Sequence, residues 1–205
     1  VVVGYLDLIK SGSDSPDMVK RSVGLMDNAI NRMVHIIRQL SSIASNERIE
    51  LTTINLRDLV AGALERFRSE YVSDAEVVLH STIPADYKAN ANLEVFETVI
   101  GVLLMNAWES YGEDHEGPRP IRLETEIEEN NRNRNLLIRI IDSGKGIAPE
   151  VSETLFEPFI TTKTSVGRGM GLTIARHALR NLGADITIKN RPEGGVCATI
   201  RYPAG

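Results

Sequence analysis

Residues Ile140 to Glu150 read IIDSGKGIAPE: an apolar run closed by one carboxylate, then two glycines separated by a single residue. Leu136, Leu137, Ile138, Ile140 and Ile141 have the length and branching of a buried strand, and Gly144 and Gly146 let the backbone leave it in a turn. The turn accounts for the glycines. It leaves Asp142 unexplained, because a carboxylate at the mouth of a buried strand must be paired, solvated or used.

Outward from this strand the pattern alternates between helix and strand. Upstream, Asn55 with Asp58 three residues on caps a helix over Leu56 to Val72, Glu76 to Thr82 reads as a strand, and Asn92 caps a second helix through about Ser110. Ile121 to Ile127 and Leu136 to Ile141 are two strands across the polar turn ENNRNRN. Downstream, GLTIARHALRNLG is helical, and ADITIKN with VCATIRYP forms a last hairpin around RPEGG. Helices grouped beside an antiparallel or mixed sheet, with no regular βαβ repeat, predict an α+β domain built as a two-layer α/β sandwich.

The first part of the chain follows another rule. Val19, Val23, Met26, Ile30, Met33, Ile37, Leu40 and Ala44 recur at alternating spacings of four and three, a heptad seam sustained over several turns. Val1 to Lys10 reads as the tail of a preceding helix, and SGSDSP (Ser11 to Pro16) as the turn that sets the two antiparallel. One such hairpin buries little surface, so the expectation is a homodimer in which two hairpins complete a four-helix bundle. The expected boundaries are 1–46 for the hairpin, 47–54 for a linker and first strand, and 55–205 for the sandwich domain.

Bulk properties bound the function. The chain has 205 residues, 42% of them apolar, enough for a real core. A net charge of −5 without a basic stripe argues against nucleic acid or an anionic membrane as partner. The single cysteine, Cys197, excludes an internal disulfide and a cysteine-rich metal site, and fits a reducing, cytoplasmic setting. No apolar run reaches the roughly 18 residues of a membrane helix, and no signal peptide is visible. The chain opens mid-pattern at VVVGYLDLIK without Met and reads as a piece of something longer, such as the cytoplasmic part of a membrane-anchored sensor.

Two further segments carry polar chemistry. The phosphate loop GxxxxGK is absent, and GRGMGL does not have the dinucleotide spacing. GRGMGL still lies directly before a helix, so Gly167, Gly169 and Gly171 either form a hinge or open backbone N–H groups to an anion at the positive helix end. In VIGVLLMNAWES, Asn106 interrupts a strongly apolar helix. It is either an interior amide satisfied by backbone or a ligand to a hard cation such as Mg²⁺, which takes one amide oxygen together with phosphate and water oxygens.

LLMNA, DSGKGI, LFEPF and GRGMGL, in this order and at these separations, resemble the N box, first glycine box, F box and second glycine box of sensor histidine kinases. Those kinases share an ATP-binding domain with gyrase, the Hsp90 chaperones and MutL. The resemblance covers about Leu51 to Gly205. Val1 to Asn46 resembles the dimerisation and histidine-phosphotransfer hairpin from partway along its first helix, and FEPFITTK resembles the lid of the nitrogen-regulation and dicarboxylate-sensing branch.

The resemblance implies a role for each site residue. Asp142 would accept a hydrogen bond from the exocyclic amine of adenine while Gly144, Gly146 and Ile147 bring the backbone up to the base. A hydrogen bond to a charged group contributes about 1.5 to 3 kcal/mol, which favours ATP over GTP by about ten- to a hundredfold. Asn106 would hold Mg²⁺ against the phosphates. Gly167, Gly169, Gly171 and Leu172 would receive the phosphates at the helix end, and Lys163 and Arg168 would neutralise charge on the γ-phosphate. Phe156 and Phe159 would anchor a lid, with Thr161 and Thr162 flanking Lys163, that orders on binding.

The same comparison exposes departures. One turn before Asn106, where hydrolytic relatives carry a glutamate and many kinases an Asn, stands Val102, so a direct water-activating base is missing. Three residues after Asn106, where many relatives carry a phosphate-binding Lys, stands Glu109. Val196 replaces a Thr that often supports the adenine-binding Asp, which implies looser base binding. No histidine suits the phosphoacceptor role: His35 falls at an outward heptad position, His80 in a strand, His115 in a Gly/Pro loop and His177 in the helix after the second glycine box. The expected function is therefore a histidine kinase catalytic domain that passes the ATP γ-phosphoryl group to a histidine outside these residues, for relay to a response-regulator aspartate. The rivals are a degenerate kinase serving as a nucleotide- or partner-binding module, and a MutL-type ATP hydrolase.

Overall fold

A computed structural model describes residues 18–24, 26, 50–70, 76–112, 114–130, 133–158 and 169–203. Residues 18–24 are helical, within the segment where the heptad seam is predicted, with Ser22 buried and the seam residue Val23 exposed. The rest of the hairpin, the turn at 11–16 and His35 lie outside the described residues.

The sandwich domain runs β1 (Thr52–Asn55), α1 (Leu56–Glu70), β2 (Val77–Ser81), β3 (Lys88–Ala91), α2 (Leu93–Glu109), β4 (Ile121–Asn130), β5 (Asn133–Asp142), a 3₁₀ turn (Pro149–Val151), α3 (Gly171–Asn181), β6 (Asp185–Asn190) and β7 (Val196–Pro203). Five strands form one mixed sheet in the order β2-β4-β5-β7-β6, with β2 and β4 parallel and the other pairs antiparallel. Parallel neighbours need a crossover, and α2 is that crossover between β2 and β4. Since β7 is antiparallel to both its neighbours, β5 and β6 are also parallel, and α3 makes their connection. A separate ladder pairs β1 with β3.

The predicted caps form. Asn55 Oδ1 accepts from Arg57 N at 2.9 Å and Asp58 N at 3.4 Å, and Asn92 Oδ1 accepts from Val95 N at 2.9 Å. These side chains satisfy backbone donors that have no partner within the helix. In α2, Phe96, Val99, Ile100, Leu103, Leu104 and Ala107 are buried at the three-and-four spacing of one helix face. That face packs with α1, α3 and the inner sheet residues Leu123, Ile138 and Ile200 into one core. Phe96 meets the ring of Tyr202 edge-on at 4.8 Å, and the Tyr202 hydroxyl donates to Asn90 O, tying β7 to β3. Burial pushes the Tyr202 phenol up from its usual range.

The structure corrects two strand readings. ENNRNRN is not a long turn: β4 continues to Asn130 and β5 starts at Asn133, with Glu129 opposite Arg134 and Glu128 opposite Asn135. Polar residues there cover the open sheet face, where Arg139 pairs with Glu126 at 2.7 Å and Arg201 with Glu128 at 3.1 Å. Leu137, opposite Glu126 and Arg201, stays buried on that face, as does Ile141. The strand Lys88–Ala91 is unexpected from composition; its register is set by alternation, with Ala89 and Ala91 inward. Among the described residues no helix is long and apolar enough to cross a membrane.

Candidate functional site

Asp142 ends β5, beside Ile121 of β4 and one step beyond the last β5–β7 pair. It is 4% exposed, so its charge has to be met locally. Three donors converge on a single oxygen: Gly144 N at 2.9 Å, Ser110 Oγ at 3.0 Å and Val196 N at 3.3 Å all reach Oδ1. Among the described residues nothing donates to Oδ2. Burial pushes the carboxyl above the usual aspartate range, and the donors from Gly144, Ser110 and Val196, with the nearby Arg191 guanidinium, pull the other way.

Two close approaches make this cage possible. Gly144 lies on the C-terminal end of α2: a Cβ there would overlap Ser110 Oγ and come 2.7 Å from the Ser110 carbonyl carbon. Gly195, at φ +76°, sits against the Asp142 carbonyl, so a side chain is excluded by both conformation and contact. The rest of the loop is tied at successive points. Ser143 N donates to Tyr111 Oη at 3.0 Å, Lys145 N to Ser110 O at 3.0 Å and Ile147 N to Asn190 Oδ1 at 2.8 Å. The loop is held as a shelf around the carboxylate.

Helix α2 links this shelf to the second glycine segment. Val102, Asn106 and Ser110 follow one another at one-turn intervals along a stripe about 12 Å long. At one end Ser110 holds Asp142. At the other, a Cβ on Gly171 would lie 3.1 Å from Val102 Cγ1, so the N-terminus of α3 comes directly against this turn. The first turn of α3 has backbone N–H groups without helical acceptors, at the positive end of its dipole. Asn106 is half-buried between the two ends. Thus a carboxylate, an amide and a helix N-terminus lie in line, Asp142 to Asn106 to Gly171.

The predicted residues divide as follows. Asp142, Gly144, Gly146, Ile147 and Asn106 share the α2 and β5 side of the site, and Gly171 and Leu172 open α3 on the other. Gly169, at φ +113°, precedes α3 by two residues. Lys163, Gly167, Arg168, Phe159, Thr161 and Thr162 lie outside the described residues. Phe156 is fastened to α3: its carbonyl accepts from Thr173 Oγ1 at 3.0 Å, and its ring lies 4.7 Å from the Arg176 guanidinium. His115 is in a loop, within 3.0 Å of Pro118 O; His80 is exposed on β2, and His177 is half-buried on α3. Where Val196 has no hydroxyl to offer Asp142, its backbone N–H and the Ser110 hydroxyl serve instead.

Ser110, Tyr111, Asn190 and Arg191 are site residues that sequence reasoning passed over. Ser110 had a signal, four residues beyond Asn106 on the same helical face. Asn190 and Arg191 had none, because their partners are 43 and 49 residues away. Two other concavities, about 440 Å³ beside Trp108 and Arg119 and about 460 Å³ beside Leu64 and Leu79, contain none of the motif residues.

The site suits an adenine nucleotide. Among the described residues Oδ2 of Asp142 meets no donor, and a Cβ at either Gly144 or Gly195 would displace the parts of the cage. Among the described residues no group of three His, Cys, Asp or Glu side chains is placed to hold a metal.

The fold and site define an ATP-binding domain of the kinase and chaperone type. A sequence profile described as "Histidine kinase-, DNA gyrase B-, and HSP90-like ATPase" matches residues 92–205, and the chain belongs to that family. The sensor histidine kinase ZraS of Salmonella typhimurium is 27% identical over 200 residues, covering 97% of this chain and 40% of that protein. The C4-dicarboxylate transport sensor protein DctB of Rhizobium meliloti is 30% identical over 139 residues, 68% of this chain and 21% of that one. The solved catalytic domain of histidine kinase ThkA superposes with a TM-score of 0.62 at 27% identity, over 76% of this chain and 96% of that chain. ThkA in complex with the response regulator protein TrrA gives 0.75 at 23% identity over all of this chain and 57% of that one, a likeness of fold. The chain spans less than half the length of these curated sensor kinases.

Proposed function

We propose that this chain binds Mg²⁺-ATP and, within the longer protein, catalyses transfer of the γ-phosphoryl group to a histidine, from which it passes to an aspartate of a response-regulator receiver domain. The observation that carries the nucleotide reading is the buried Asp142, with three protein donors on Oδ1 and, among the described residues, none on Oδ2. Adenine, with its amine at C6 facing Oδ2, completes the set, whereas guanine in the same pose presents the C6 carbonyl there and sets two acceptors against each other.

On this reading the residues divide the work by position. Asp142 and the 143–147 shelf orient the base. Asn106, one helical turn from Ser110, presents its amide oxygen to Mg²⁺, and the α3 N-terminus with Gly169 and Gly171 receives phosphate oxygens. Magnesium, when bound, offsets charge that develops on the transferring phosphoryl group. Lys163 and Arg168 supply positive charge from the intervening segment. Val102, an aliphatic residue beside Gly171, cannot take a proton from water, which favours transfer to a protein acceptor over hydrolysis. The proposal includes the 1–46, 47–54 and 55–205 organisation, the homodimer through the hairpin, a cytoplasmic setting and the dicarboxylate-sensing type of lid.

Calorimetric titration of the 205-residue chain with Mg²⁺-ATP, beside Asn106→Ala and with GTP as competitor, tests the site. Saturable binding that requires Mg²⁺ and Asn106 and disfavours GTP is expected. Absence of ATP binding would remove the kinase reading and leave a partner-binding module.

A further inference from the structure

The three donors on Asp142 fix the carboxylate, but the backbone after it must also stand at the right height beside a base. Asn190, the last residue of β6, reaches that backbone from across the sheet. Its Oδ1 accepts from Ile147 N at 2.8 Å and its Nδ2 donates to Ile147 O at 2.8 Å. An amide that meets both polar groups of one residue sets its position and orientation together, as a neighbouring strand would. The approach is tight: a Cβ on Gly146 would come 3.2 Å from Asn190 Oδ1. The next residue, Arg191, donates from Nη1 to Asp142 O at 3.1 Å, so the β6–β7 turn grips the shelf at both ends.

We propose that Asn190 is a specificity-determining positioning residue: by clamping Ile147 it holds the 143–147 shelf where Asp142 and the loop backbone read the same base edge. This inference rests on the nucleotide reading above. The clamp is exposed, so its two bonds act chiefly by biasing the loop toward the competent position. Without them the competent fraction, and with it the apparent affinity for the cognate base, falls by about tenfold. GTP, which gains nothing from Asp142, loses less.

The test is calorimetric titration of the 205-residue chain with ATP, ADP and GTP for the wild type, Asn190→Ala, Asn190→Asp and the neighbouring control Lys189→Ala. Asn190→Ala is expected to weaken ATP and ADP equally, about tenfold, and to bring the ATP:GTP preference toward one. Asn190→Asp, which keeps the acceptor for Ile147 N and loses the donor to Ile147 O, should fall between, and Lys189→Ala should match the wild type. An unchanged ATP:GTP ratio in folded Asn190→Ala, or equal weakening of ATP and GTP, would overturn the inference while leaving the nucleotide site in place. A wild type that binds ATP no better than GTP would overturn both. If Asn190→Ala fails to fold, amide exchange in the wild type decides: the clamp requires a protected Ile147 N–H, and exchange at the rate of an open loop would refute it.

Discussion

At the scale of single residues, Asp142 is a buried acid whose hold on its proton is changed by the fold. Its folded-state pKa is raised, so the folded protein holds the proton more tightly than the unfolded chain does. Stability therefore falls as pH rises from the ordinary aspartate value through the raised one, the reverse of a salt-bridged carboxylate. Asp142→Asn should remove this slope, so that wild-type and variant melting curves measured against pH converge on the acid side, with the variant at least as stable near neutrality. The same substitution should weaken ATP binding by about tenfold or more, since a hydrogen bond to a charged group contributes about 1.5 to 3 kcal/mol. Wild-type ATP affinity should fail on acidification above the pH of an ordinary aspartate. Equal affinity in a folded Asp142→Asn protein would contradict the base-recognition role.

At the scale of elements, α2 does two jobs with different faces. Its apolar face seats Phe96 and Ile100 in the core, and the Val102-Asn106-Ser110 stripe borders the site. Phe96→Ala should cost about 3 to 5 kcal/mol, because the cavity left between α2 and Tyr202 cannot close without moving either the helix or β7. A urea titration should show a lower midpoint with an unchanged slope, and a change of under 1 kcal/mol would mean that the helix relaxes freely. The β4–β5 hairpin carries a caution for sequence reading. Its end is polar because one face is open to water and paired in ions, and polarity alone cannot separate such a strand from a turn.

At the scale of the whole molecule, the sandwich domain and the segment with the predicted heptad seam obey different rules of assembly. The sandwich domain closes its own core, whereas a heptad seam needs a partner helix. The 205-residue chain should therefore scatter light as a dimer, and Ile30→Asp, at the centre of the seam, should halve the mass without changing ATP affinity. A monomeric wild type would remove the bundle reading and leave the nucleotide site untouched. Local periodicity sufficed to place both capped helices and the central strands, because caps and alternating faces depend on residues within one or two turns, whereas the four motifs were legible only through their resemblance to a known family. It could not assemble the site. The donors to Asp142 Oδ1 include residues 32 and 54 positions away, and the Ile147 clamp comes from 43. Only the strand order β4-β5-β7-β6, with α2 laid across it, brings those segments to one carboxylate. The sequence by itself determined which residues were available for the chemistry. The tertiary structure decided which oxygen of Asp142 the described donors reach, since a buried carboxylate has to be met by groups that only the fold brings to it.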